Sequence, residues 1–205
     1  MKTRKRETRI TAVPAITGKC GWVFCLLGAL LLTMMSTPAK AQCTAQNTAF
    51  QSGEHVMYDL YFNWKFIWKK VGLASLTTFS TTYQSQPAYR FNLLSVGSKK
   101  TDFFFKMRDT LTCYVSEKLE PLYFRKAAEE GDRYTVDEAW FSYKDGVSNV
   151  KQRRIWHNPV RDPQEMEYSD SRCIFDMLSI LAQARSYDPA DYKIGDRIQF
   201  PMATG

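Results

Sequence analysis

The 205-residue chain carries 28 Lys and Arg against 21 Asp and Glu, a formal net charge of +7, with 44% hydrophobic and 14% aromatic residues. Seven of the basic residues and one acid fall in residues 1–41, so residues 42–205 hold 21 basic against 20 acidic residues and are close to neutral. The basic pairs left there, Lys69-Lys70, Lys99-Lys100 and Arg153-Arg154, make no stripe, which excludes the electrostatic footprint of a nucleic-acid binder.

Residues 1–41 have the three parts of a secretory signal peptide. Lys2, Arg4, Lys5, Arg6, Arg9 and Lys19 precede an apolar run from Gly21 to Met35, and Ala39-Lys40-Ala41 offers small residues where a signal peptidase reads them. The run is shorter than the roughly 20 residues that span a bilayer. Cleavage before Gln42 is expected, giving a periplasmic or secreted protein that meets a membrane only transiently during export. Residues 42–205 then suit one β-rich domain. Its cysteines are Cys43, Cys113 and Cys173. A single Cys113–Cys173 bridge is one arrangement and buried free thiols the other. Lipidation of Cys43 is disfavoured, because Gln42 precedes it where a small residue is required.

From His55 to Trp156 the dominant period is two, the period of strands. His55–Trp64 alternates Val56, Tyr58, Leu60, Phe62 and Trp64 against a mixed face. Val71–Tyr83 follows, with Gly72 marking a bulge or a close approach, then a turn at Gln86-Pro87 and a strand from Tyr89 to Val96. A longer strand is expected over Asp102–Val115, and Phe103-Phe104-Phe105 within it must cover both faces. Three further strands end near Trp156, with Gly131-Asp132 and Asp145-Gly146 as hairpin turns. Seven strands at this spacing predict a mainly β fold, an antiparallel β-barrel or strongly curved sheet packed against one α-helix. After a loop at His157–Pro163, that helix is expected to start at a Ser171 cap and stop at Asp188-Pro189. Its apolar residues, Ile174 to Ala184, should face Val56, Tyr58, Leu60, Phe62 and Trp64. A last strand, Arg197 to Met202, precedes a turn at Ala203-Thr204-Gly205, which reads as a domain truncated at its C-terminus.

Catalytic signals are sparse. The nucleophile elbow, the phosphate-binding loop, the zinc-protease helix and paired C-x-x-C motifs are all missing from the sequence. His55 and Asp59, four residues apart on a strand, are separated by about 13 Å, and His157 reads as a loop residue. Among the acids, Asp137 and Glu138 point to opposite faces, Asp109 is expected to pair with Arg108, and Asp176 with Arg172 along the helix. Asp102 completes the candidates for a carboxylate pair. No catalytic, cofactor or metal-binding residue is assigned, no cofactor is expected, and an enzyme is disfavoured.

The stretch Gly53–Trp64, with VGLASL at Val71–Leu76, DTLTCYVSEKLEPLYF at Asp109–Phe124 and DMLSILAQARSYDPADYKIGDRIQFPM at Asp176–Met202, resembles an exported Gram-negative family known as a domain of unknown function, DUF3108. The resemblance runs from about Phe50 to Gly205 and covers the first two thirds of the family domain. It implies a β-rich envelope protein and brings no activity, cofactor or site. The leading expectation is a non-enzymatic binder of an apolar or amphiphilic guest, such as a lipid or lipoprotein acyl chain, with Tyr58, Phe62 and Trp64 as ligand wall. A glycan- or protein-binding surface module is the alternative, and a hydrolase with paired carboxylates comes third. Oligomeric state stays open.

Overall fold

The computed structural model describes residues 43–203; the expected cleavage positions Ala39, Ala41 and Gln42 lie outside the described residues. Eight antiparallel strands form one sheet in sequence order: β1 (His55–Trp64), β2 (Ile67–Tyr83), β3 (Gln86–Gly97), β4 (Met107–Ser116), β5 (Pro121–Glu130), β6 (Arg133–Lys144), β7 (Val147–Asn158) and β8 (Val160–Asp170). The mainly β architecture with one packed helix is the one expected, in its open-sheet form: β1 pairs with β2 and β8 with β7, and the two do not pair with each other. A four-residue helix, α1 (Lys99–Asp102), sits between β3 and β4. The nine-residue helix α2 (Met177–Arg185) follows the sheet.

Alternation drives each strand. In β4, Leu111, Cys113 and Val115 are buried while Thr112 and Tyr114 between them are half-buried on the other side. Asp145 and Gly146 have φ of 53° and 79°, the left-handed pair that a two-residue hairpin turn requires. Gly72 serves both of its expected uses. The β1–β2 register slips beside it, between Leu60 and Tyr61, and a Cβ there would lie 2.3 Å from the Val96 carbonyl oxygen.

Several boundaries differ from expectation. The β2–β3 turn is Gln84-Ser85, both at positive φ, and Gln86-Pro87 already belong to β3. Phe103 to Lys106 form a loop, because α1 turns the chain before β4 begins. An eighth strand replaces most of the loop expected after Trp156. Pro163 is tolerated there because β8 is an edge strand and the β7–β8 register slips between Arg154 and Trp156. The helix starts at an Asp176 cap rather than at Ser171, and Arg197–Met202 forms no strand. Instead Phe175 and Met202 make a single parallel bridge, Phe175 N–H donating to the Pro201 carbonyl at 3.1 Å and Ala203 N–H to the Phe175 carbonyl at 2.8 Å. With its backbone engaged there, the chain before Asp176 is extended, and Arg172 pairs with Asp170 instead of Asp176.

The core lies between one end of the sheet and α2. Leu76, Phe91, Cys113, Val115, Phe124, Phe141 and Val150 meet Phe50, Ile174, Leu178 and Ala182. The helix packs on β4, not on β1 as expected. Its far end is tied to the segment before β1. Arg185 donates to both Glu54 carboxylate oxygens at 2.6 and 2.8 Å, and Gln183 Nε2 to the Cys43 and Leu119 carbonyls at 2.8 and 3.1 Å.

The disulfide joins Cys43 to Cys173, with Cα atoms 5.2 Å apart, and Cys113 is a buried free thiol. The expected Cys113–Cys173 bridge is therefore replaced: Cys113 points into the core from β4, whereas Cys43 sits at the start of the segment that α2 clamps. The bond closes 130 residues. Chain-entropy arguments put its worth at about 5 kcal/mol. Cys43→Ser should lower the melting temperature of the oxidised protein sharply, and adding reductant should lower the wild type to match while leaving the variant unchanged.

Asp176 caps α2 from a fully buried position, its Oδ1 accepting from the Leu178 and Ser179 amides at 2.8 and 3.0 Å while its Oδ2 has no hydrogen-bond partner. Burial pushes this carboxyl up to about 6, against the opposing pull of the Ser179 and Leu178 bonds. The folded state thus holds the proton more tightly than the unfolded chain. Its contribution to stability is greatest below the ordinary carboxylate range and is lost as pH rises through about 6, a swing of about 3 kcal/mol. Asp176→Asn keeps a good capping side chain and removes the charge. Denaturant titrations from pH 4 to 7 should show stability falling with pH less steeply in the variant than in the wild type.

Candidate functional site

A helix of nine residues is about 14 Å long at ~1.5 Å per residue, and it covers only the end of the sheet near Glu54, Leu119 and Ser148. The helix-side face continues beyond it. Register places Val56, Leu76, Leu93, Leu111, Lys126, Asp137 and Arg154 in one cross-strand row there, and Tyr58, Ala74, Ser95, Asp109, Ala128 and Thr135 in the next. The first row is apolar from Val56 through Leu111 and charged from Lys126 to Arg154; in the second, Tyr58 and Ala74 give way to Ser95 and Asp109, followed by Ala128 and Thr135.

On the apolar side, Tyr58 and Phe62 are 44% and 56% exposed, with Leu60 and Leu93 half-buried beside them. The two aromatics stand on the expected face and are exposed there. The side chain of Trp64, the third expected wall residue, lies outside the described residues. On the charged side, Asp137 is buried and receives Arg154 Nε at 2.5 Å, and Arg154 also lies over the Trp156 ring at 5.8 Å. Lys126 reaches Glu130 at 3.9 Å. Asp109 remains. Its Oδ1 is buried with no hydrogen-bond partner, and burial, reinforced by Glu130 and partly offset by Lys126, raises its carboxyl above the usual carboxylate range. Beyond Arg154, Gln152, Gln164 and Met166 help line a groove of about 300 Å³.

The expected Arg108–Asp109 pair does not form, because neighbours on a strand point to opposite faces: Arg108 binds Asp102 across the β3–β4 loop. The same alternation separates Asp137 from Glu138, as expected, with Glu138 accepting from the Tyr123 hydroxyl at 2.6 Å on the far face. Burial, and then that bond, raise the Tyr123 phenol well above its ordinary range. The far face also holds Tyr83, Tyr114, Tyr123 and Trp140 as a row of ring contacts at 5.0–6.2 Å. Tyr83 and Tyr123 are near parallel, at 16°, while the other contacts are tilted by 37–51°, so the four share no common plane. His157 belongs to β7 and stacks on Tyr134 at 4.9 Å. Among the described residues no three His, Cys, Asp or Glu side chains group to hold a metal, and no helix is long and apolar enough to cross a membrane.

The family model for proteins of unknown function DUF3108 matches residues 57–205, well over half of the chain. The chain belongs to DUF3108. No curated protein and no solved structure matches it. The match takes in every strand that builds the split face, from Met57 in β1 to β8. The DUF3108 chain therefore carries Tyr58, Phe62 and Asp109 within its family region.

Proposed function

We propose that this DUF3108 protein is an exported, non-enzymatic binder of an amphiphile. The apolar part of the guest lies along Tyr58, Leu60, Phe62 and Leu93, and its head meets Asp109. The single observation behind this reading is a sheet face on which Tyr58 and Phe62 stand exposed on β1 and the Asp109 carboxylate oxygen on β4 has no hydrogen-bond partner. Around the head position the ion pairs Asp137–Arg154 and Lys126–Glu130 are internally matched. The unpartnered Asp109 oxygen adds one negative charge and one free acceptor, which favours a head that donates hydrogen bonds, such as an amine or a hydroxyl. Export is supported by the pattern of residues 1–41 and by the Cys43–Cys173 bond, which persists in an oxidising compartment.

The two halves are separable by experiment. Phe62→Ala removes about half-exposed apolar surface outside the core, so it should leave the melting temperature unchanged and weaken uptake of a dansylated long-chain amine by about tenfold, the loss of ~1.4 kcal/mol of burial. Asp109→Asn should weaken the amine but not a long-chain alcohol. For the wild type, amine uptake should fall as acid protonates Asp109, at a pH above the ordinary carboxylate range. Fluorescence titration in which neither variant changes uptake, or in which the wild type takes up neither probe, would remove the proposal.

A further inference from the structure

The β1–β2 hairpin outruns the sheet. The last β2–β3 pair is Gly72 with Gly97, yet β1 and β2 continue through four more pairs, from Tyr61–Lys70 to Trp64–Ile67. This ribbon has no third strand, and a two-stranded ribbon alone is marginal in water. It nevertheless carries apolar side chains on both sides. Phe66 is 87% exposed at its tip, Trp68 69%, Phe62 56% and Ile67 44%.

A second exposed aromatic group lies beside its base. The Ser98 amide and the Thr101 hydroxyl both donate to the Val71 carbonyl at 2.7 Å, which fixes the β3–β4 loop against the root of the hairpin. That loop presents Phe103 and Phe104, 85% and 83% exposed and packed edge to face at 5.2 Å. Two segments some thirty residues apart therefore place bare aromatic rings at the same end of the sheet, opposite the end closed by α2.

Charge in these two segments is mainly positive. Residues 61–70 and 98–106 contain six lysines and one aspartate, net +5, within a 42–205 stretch that totals 21 basic and 20 acidic residues. Three nearby acids are paired: Asp59 with Lys70, Asp102 with Arg108 and Glu129 with Lys106. Lys69, Lys99 and Lys100 stay exposed beside the rings. Aromatic tips ringed by lysines match an interface in which a rim of negative headgroups overlies an apolar interior.

We infer that the β1–β2 hairpin and the β3–β4 loop together form a membrane-docking end, which seats Phe66, Trp68, Phe103 and Phe104 in the headgroup region of a bilayer bearing anionic lipids. This contact is distinct from any made during export and places the open mouth of the sheet face at the lipid surface.

The test uses the full chain, with vesicles of phosphatidylcholine alone or with one third phosphatidylglycerol. Because residues 1–42 contain an apolar run of their own, each variant is compared with a wild type carrying the same segment. Lys69→Glu/Lys99→Glu/Lys100→Glu should weaken flotation with the anionic vesicles by at least about a hundredfold, at ~5-fold per charge removed and more on reversal, and high salt should mimic it. Phe103→Ser/Phe104→Ser should reduce flotation with an unchanged thermal melt, since both residues are exposed. Brominated lipid should quench an emission component that is missing in Trp68→Phe. Flotation indifferent to the charge reversal and the loop variant, or no Trp68-dependent quenching, overturns the inference. So does Trp68 shielded from acrylamide without lipid, which would mean that a second copy or another segment of the chain covers the hairpin.

Discussion

A nine-residue helix set against strands of ten to seventeen residues is the constraint on which this molecule turns. At ~1.5 Å per helical residue and ~3.3 Å per strand residue, the helix spans less than half of even the shortest strand. The main apolar cluster follows from that mismatch. Phe91, Phe124, Cys113 and Val115 are sealed where α2, Phe50 and Ile174 lie over them. Farther along the same strands the same face bears Tyr58, Asp109 and Lys126, with no helix to cover them. Core and site are thus two ends of one surface, separated by where the helix stops.

The helix is held at that end from both directions. Asp176 fixes its start, and Arg185 with Gln183 fixes its finish onto the segment that Cys43 anchors through Cys173. A half-buried bidentate arginine–carboxylate contact and a satisfied amide specify position more than they add stability. The buried, charged cap at Asp176 is the costly member of this set. Burial raises the titration of Cys113 and Tyr143 near it, and the Asp176 charge adds to both shifts, for Tyr143 after that of Glu120.

Much of the sheet was legible because period-two alternation is a direct imprint of a surface with one covered side. His55–Trp64 matched its strand to the residue, the Gly131 and Asp145 turns held, and Gly72 was a bulge and a close approach together. The errors arose where local pattern was overruled. Phe103 to Phe105 have strand propensity but no partner beyond α1, and Arg197–Met202 lacks a neighbouring strand to supply its hydrogen bonds. Pro163 hid β8, since an edge strand tolerates what a central one would not. The site was harder to see. Alternation alone separates Arg108 from Asp109, and that much is legible in the sequence. No spacing rule, however, brings the β3–β4 loop against the root of the β1–β2 hairpin, which the bonds of Ser98 and Thr101 to the Val71 carbonyl do.

All the sheet's pairings join consecutive strands, so each can form by closing a short turn at small entropic cost. The contacts that seat the helix are of another kind: Cys43 with Cys173, Glu54 with Arg185 and Thr48 with Ser186 each span about 130 residues or more. The meander can therefore assemble hairpin by hairpin as the chain emerges, whereas its apolar end stays bare until the segment beyond β8 arrives. During that interval the apolar residues from Leu76 to Val150 that α2 will cover are open to other chains, and the Cys113 thiol among them is open to oxidants from which the docked helix shields it.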